Sequence, residues 1–196
     1  MQESYKLENI DSLILDYTDY MHFDCGVKLL NDALINRATP KKESTNKSDR
    51  MLVIRENDKI VAFMTYGFDK VKLERKSEVK KYIPVLKIGN IAVDWASKGK
   101  GYGTYLIKFA FRVLNTVSPF VEIKGVFLEA MEDAVPFYTD ILGFENIQLG
   151  RYNHFKESSM PDNADKPRLY QMYINSAMVF VNSEVFPPID YTYEYY

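Results

Sequence analysis

The chemistry this chain can do is concentrated in one run, Ile91-Ala92-Val93-Asp94-Trp95-Ala96-Ser97-Lys98-Gly99-Lys100-Gly101-Tyr102-Gly103-Thr104, where an apolar strand leads through a glycine-rich turn into a helix. Glycines at 99, 101 and 103 let the backbone approach a ligand without a side chain in the way. The first amides of the following helix have no intrahelical acceptor and lie at the positive end of its dipole, so the turn suits a pyrophosphate, with Lys98 and Lys100 adding countercharge. Spacing excludes two phosphate loops. A P-loop needs four residues between its glycines and then Lys-Ser/Thr, whereas here the glycines alternate and Thr104 follows a glycine. A dinucleotide fingerprint needs a third glycine three residues after the second and an acidic residue closing the next strand at the expected distance, and neither is present.

The hexamer Lys98-Gly99-Lys100-Gly101-Tyr102-Gly103 resembles the acetyl-CoA loop of the GNAT acetyltransferase superfamily, with Lys98 in place of the usual Gln or Arg. That replacement keeps the charge and loses the fork-shaped donor set. Further along, Ala134-Val135-Pro136-Phe137-Tyr138-Thr139-Asp140-Ile141-Leu142-Gly143-Phe144 resembles the second signature of the superfamily, a short helix carrying Phe-Tyr that ends at Leu-Gly-Phe. The likeness runs over residues 20–174 and is most specific between 83 and 145. It implies acetyl-CoA as cosubstrate and a strand splayed from its neighbour, where backbone groups of Ile91, Ala92 and Val93 pair with the pantetheine arm and polarise the thioester carbonyl. The amides of Gly99, Lys100, Gly101, Tyr102, Gly103 and Thr104 would hold the pyrophosphate. Tyr138 matches the tyrosine beside the departing sulfur, to which it would donate a hydrogen bond. Full proton transfer from a phenol near ~10 to a thiolate whose acid is near ~8.5 runs uphill by about 2 kcal/mol. Glu129, near a strand end beside the cleft, is the first candidate for general base, and Asp94 is the second. A lysine acceptor near pKa ~10.4 costs about 4.6 kcal/mol to deprotonate at pH 7, while an α-amine near ~7.7 to 8.0 costs about 1 to 1.4 and barely needs a base.

Phe23-Asp24-Cys25-Gly26-Val27-Lys28-Leu29-Leu30-Asn31-Asp32-Ala33-Leu34, followed by Arg37-Ala38, resembles the start of the GNAT toxins of bacterial toxin–antitoxin modules, as does the strand Ile88-Gly89-Asn90-Ile91-Ala92-Val93-Asp94. The resemblance implies acetylation of the α-amine of aminoacyl-tRNA and an antitoxin partner. Charge is segregated in a way that suits an anionic partner: residues 37–112 hold 18 Lys/Arg against 8 Asp/Glu, a net +10, whereas 1–36 and 113–196 carry −5 and −7. Two other readings stay open, a housekeeping acetyltransferase for a small-molecule or protein amine and an acyl-CoA-binding module without catalysis.

The elements that position these residues follow from periodicity. Apolar residues at 46 % and charged ones at 27 % describe an ordinary globular chain, and 196 residues suit one domain with a real core. No apolar run approaches membrane-spanning length and the N-terminus lacks a secretory pattern, so a cytoplasmic protein with no membrane partner is expected. One cysteine, Cys25, and two histidines give neither an internal disulfide nor usual metal-ligand spacing, so no metal is expected, and Cys25 reads as a small residue packed near a helix start. A helix is predicted over 27–38, a polar loop over 41–49, and strands over 51–55, 60–68 and 84–93. A core-facing helix follows over 101–116, then a strand over 123–128, a short helix over 133–142, and strands over 144–149 and 169–174 around a loop at 153–166. With the order that the resemblance implies, the expected fold is α/β (α+β), a mixed, mostly antiparallel sheet flanked by helices. The acetyltransferase domain is expected over 1–174, and 175–196 is an aromatic extension, either an added strand or an interface segment; a homodimer is left open.

Overall fold

Polar Glu56-Asn57-Asp58-Lys59 reverses the chain between strands β2 (Arg50–Glu56) and β3 (Lys59–Leu73), with Asn57 and Asp58 at φ of 51° and 62°, the left-handed pair a two-residue hairpin needs. In the computed structural model, residues 5–10, 17–38, 49–73, 81–147 and 169–183 are described. The loop expected over 41–49 lies outside them apart from Asp49, as do the loop over 153–166, the last two residues of the strand over 144–149, and 184–196 of the tail. Seven described strands form one sheet in the order β1-β2-β3-β4-β5-β7-β6, completed by β1 (Tyr5–Asn9), β4 (Lys81–Val93), β5 (Gly125–Met131), β6 (Glu145–Asn146) and β7 (Leu169–Asn175). Only β4 and β5 run parallel, joined by helix α3 (Tyr102–Val117); every other pair is antiparallel. The sheet is therefore mixed, mostly antiparallel and flanked by helices, as the sequence leads one to expect.

The two faces carry separate cores. On one, Leu86, Ile88, Val126 and Leu128 pack with the α3 stripe Leu106, Phe109, Ala110 and Leu114. On the other, Val53, Phe63 and Ala92 pack with Cys25 and Leu34 of the segment leading into and through α2 (Lys28–Ala38), preceded by a single turn, α1 (Tyr17–Tyr20).

Three elements differ from expectation. The helix predicted over 133–142 is present but irregular: 3₁₀ over Glu132–Ala134, α-helical at Val135 and Pro136, and π over Phe137–Ile141. Of the strand expected over 144–149, the described residues 144–147 contribute the two-residue β6, Glu145–Asn146. The described part of the segment beyond 174 ends β7 at Asn175 and then forms helix α4 (Ser176–Ser183), opened by Asn175 Oδ1, which accepts from the Ala177 amide at 2.9 Å, and anchored by the fully buried Val179 in the α3-side core. Among the described residues no helix is long and apolar enough to cross a membrane.

Candidate active site

Strand β4 carries the site because it outruns its neighbour. It pairs with β3 all the way to Val93, but with β5 only from Leu86 to Ile88, so Ile91, Ala92 and Val93 continue past the last β4–β5 pair. A bulge at this point explains the divergence: Gly89 and Asn90 together oppose Thr65, whose Oγ1 accepts from the Asn90 amide at 2.7 Å. The extra residue bends β4 away from β5 and resets its alternation, so that Ile91 and Val93 pack on the α3 side and Ala92 on the α2 side. The fork expected at Ile91–Val93 is thus built into the register.

Asp94 closes the strand. Its Oδ1 accepts from the Ala96 amide at 3.0 Å, capping the 3₁₀ turn Trp95–Ser97, and its Oδ2 accepts from the Asp24 amide at 3.0 Å; the Trp95 amide returns the tie to the Asp24 carbonyl at 2.8 Å. With both oxygens holding backbone amides in a residue only 9 % exposed, Asp94 works as a clamp between the end of β4 and the loop before α2, which argues against the second base candidate. Asp94→Ala should lower stability by about 1–2 kcal/mol, measured by urea unfolding, since it removes a cap and a tether together.

The loop clamped by Asp94 is the Phe23–Gly26 segment singled out in the sequence. Cys25 donates its thiol hydrogen to Asn31 Oδ1 at 3.0 Å, the Cys25 amide donates to the same oxygen at 3.1 Å, and Asn31 Nδ2 donates to Asp24 Oδ1 at 2.8 Å. Burial pushes the thiol pKa up, so Cys25 is a packed, protonated residue and a poor nucleophile. The Asn31 hydrogen bond, with one from the Gly26 amide, holds the Asp24 carboxyl below its ordinary value. The Cys-Gly and Leu-Asn elements of that segment therefore serve as a stapled helix entry.

Past Lys98 the turn is shaped for an anion. Gly99 and Gly101 take φ of 82° and 88°, open to solvent where a Cβ would stand, and Gly101 caps α3 without any side-chain hydrogen bond. The α3 start is left with a backbone-lined approach, and a groove of about 300 Å³ runs over it, lined by Lys100, Gly101, Tyr102, Thr104, Tyr105 and Lys108. The lysine charges meet neighbours. Lys100 Nζ lies 3.1 Å from Glu56 Oε2, and the buried Tyr102 hydroxyl donates to Glu56 Oε1 at 3.0 Å. Lys98 Nζ stands 3.7 Å from the centre of the Trp95 ring. Both lysines thus have a neighbouring partner, while Lys100 still borders the groove. Glu56, which fixes the turn from 44 residues away, carries no local signal in the sequence.

The second signature meets this turn directly. A Cβ at Gly103 would lie 3.7 Å from Val93 Cγ2 and 3.8 Å from Phe137 Cζ, which brings the splayed strand end, the start of α3 and the Phe137-Tyr138 turn together. Gly143 turns the chain so that the Phe144 amide donates to the Tyr138 carbonyl at 3.0 Å. Tyr138 is 5 % exposed, with its ring 5.1 Å from Phe137 and 5.8 Å from Phe144 between centroids, and burial pushes its phenol well above the ordinary value. Among the described residues none hydrogen-bonds its hydroxyl. Glu129 lies one residue beyond the last β4–β5 pair, opposite Gln171, exposed, and on the face away from α3 because Leu128 and Ala130 belong to the α3-side core. Tyr138 and Glu129 therefore lie on opposite faces of the sheet. Among the described residues no cluster of His, Cys, Asp or Glu is arranged to hold a metal ion.

Comparison with known proteins agrees with this architecture. The family model described as Acetyltransferase (GNAT) family matches residues 8–144. No curated protein sequence matches the chain. Among solved structures, a mutant of the toxin AtaT bound to the C-terminus of the antitoxin AtaR and acetyl-CoA is similar at a TM-score of 0.67 and 23 % identity, over 91 % of this chain and 97 % of that one. AtaT complexed with acetyl-methionyl-tRNAfMet is similar at 0.67 and 22 %, over 91 % and 99 %. The KacTA–DNA complex contains a chain similar at 0.64 and 20 %, over 91 % and 98 %.

Proposed function

The chain belongs to the acetyltransferase (GNAT) family, and from that membership we propose that it transfers the acetyl group of acetyl-CoA to the α-amine of aminoacyl-tRNA and is restrained by an antitoxin. The observation that carries the donor half is the fork, in which β4 leaves β5 after Ile88 and delivers Ile91–Val93 straight into the glycine turn. Backbone groups of Ile91, Ala92 and Val93 bind the pantetheine arm and stabilise the negative charge that collects on the thioester oxygen. Amides from Gly99 to Thr104 hold the pyrophosphate. The amine nitrogen attacks the carbonyl carbon, the C–S bond breaks, and sulfur leaves as a thiolate that accepts a hydrogen bond from Tyr138. The amine proton passes to Glu129 on the α2 face or to water. The acceptor half rests on the stapled Phe23–Gly26 entry and the basic middle of the chain, together with similarity to toxins whose structures hold an antitoxin segment and an acetyl-methionyl-tRNA.

Incubating the purified protein with acetyl-CoA and either aminoacylated tRNA or a panel of small-molecule and peptide amines tests this reading. Acetylation of the charged tRNA, with growth arrest on expression, is the expected result. Transfer to other amines while charged tRNA is inert would mean a housekeeping enzyme, and binding of acetyl-CoA without transfer to any amine would mean a carrier module.

The pH profile follows from the groups involved. For an α-amine acceptor, kcat/KM should rise with pH around ~7.7 to 8.0, as the nucleophile loses its proton, and then level off. Burial raises the Tyr138 pKa, which extends the neutral, donating phenol to higher pH, so no descending limb is expected below about pH 10.

A further inference from the structure

Trp95 is the one tryptophan of the chain, and it is 68 % exposed. A ring of this size left in water gives up most of the gain that burial would bring, yet its placement is tightly fixed. Its amide donates to the Asp24 carbonyl at 2.8 Å, and the turn it opens is capped by Asp94. Gly26, at φ +84°, brings bare backbone alongside the indole, where a Cβ would lie 3.5 Å from Cε3. Lys98 Nζ stands 3.7 Å from the ring centre. An outward, rigid aromatic ring thus carries its own cation at the joint between the end of β4 and the glycine turn.

That pairing suits a nucleotide. The base stacks on the indole, and the ammonium exchanges a weak exposed cation–π contact for a phosphate. Two sources offer this chemistry, the adenosine of CoA and the end of an RNA acceptor, and position separates them. The groove of about 300 Å³ is lined by Lys100 and Gly101 of the turn and by the first two turns of α3, whereas Trp95 is not among its lining and leans instead on Asp24 and Gly26 at the entry to α2, on the sheet face that Glu129 also takes. We infer that Trp95 and Lys98 form a stacking platform for a nucleotide at the acceptor end of an RNA substrate. This rests on the aminoacyl-tRNA reading above and adds a residue that selects for RNA over free amines.

The test uses the full-length protein and aminoacylated tRNA. Trp95→Ala should raise the KM for charged tRNA roughly tenfold or more, Trp95→Phe should recover most of the loss, and the KM for acetyl-CoA should stay within about twofold. Because the chain has one tryptophan, its fluorescence reports on this site alone. Deacylated tRNA should quench it, and acetyl-CoA should not. An unchanged KM for charged tRNA in Trp95→Ala, with wild type active on that substrate, overturns the platform and leaves the parent reading standing. A rise confined to the KM for acetyl-CoA, or quenching by acetyl-CoA alone, assigns the ring to adenosine and likewise overturns it. A wild type inert toward charged tRNA overturns both.

Discussion

Tyr138→Phe is expected to lower kcat by about a hundredfold while leaving acetyl-CoA binding and the fold intact. The hydroxyl is offered to a sulfur that becomes anionic only as the C–S bond breaks, so its removal weakens an interaction made in the transition state and spares the ground state. A hydrogen bond to a charged acceptor contributes about 1.5–3 kcal/mol, which sets the size of the loss. Stability should stay close to unchanged. No described residue hydrogen-bonds the Tyr138 hydroxyl, and the oxygen keeps contact with solvent although the residue as a whole is only 5 % exposed, so removing it strands no buried partner and is close to neutral. Single-turnover rates and thermal unfolding of the same preparation separate the two effects. A variant with wild-type turnover would reduce Tyr138 to an aromatic packed between Phe137 and Phe144.

The direction of this prediction depends on burial, which the sequence does not contain. The spacing of Phe137-Tyr138 before Leu142-Gly143-Phe144 identifies the tyrosine, but a helical reading of 133–142 hides the π-turn that seats it and the rise in its pKa that burial causes. A phenol harder to ionise is a poorer acid and an equally good hydrogen-bond donor, which strengthens stabilisation of the thiolate over complete proton transfer.

What was legible is what is contiguous. The apolar run entering the glycine turn and the core stripe of α3 are each written within about fifteen residues, whereas the sheet order rests on pairings far apart in sequence. What was hidden is held by pairs distant in sequence. Asp94 looked like a candidate base at a strand end, and only its partner Asp24, 70 residues earlier, makes it a clamp. Lys100 reads as countercharge from the sequence, which does not show that Glu56, 44 residues earlier, is its ion-pair partner. The bulge at Gly89-Asn90 has a local cue in its glycine, but its consequence, the separation of β4 from β5, requires the register of three strands. The helix after Asn175 was obscured for a different reason: Ala177-Met178-Val179 is apolar without a helical stripe, and burial of Val179 against α3 settles it as a helix.

The three glycines of the turn are not equivalent, and this gives the second large effect. Gly101→Val should raise the KM for acetyl-CoA by about a hundredfold, through loss of one or two charge-assisted amide contacts to the pyrophosphate. At φ +88° a β-branched residue is strained by about 1–3 kcal/mol, and nothing lies within 4 Å of the would-be Cβ, so the backbone is free to relax by rotating the peptide and its amides out of the cradle. Gly103→Ala makes the contrast. Its Cβ would make ordinary contacts with Val93 and Phe137 at 3.7 and 3.8 Å, in the first turn of a helix where alanine is favoured over glycine by at most roughly 1 kcal/mol, so stability should hold or rise slightly and the KM should change by less than about threefold. Measured KM values for the two variants, with urea unfolding of each, test the cradle itself. Equal effects at 101 and 103, or an unchanged KM in Gly101→Val, would mean that the amides at the start of α3 do not hold the pyrophosphate and that its charge is met by the lysines bordering the groove.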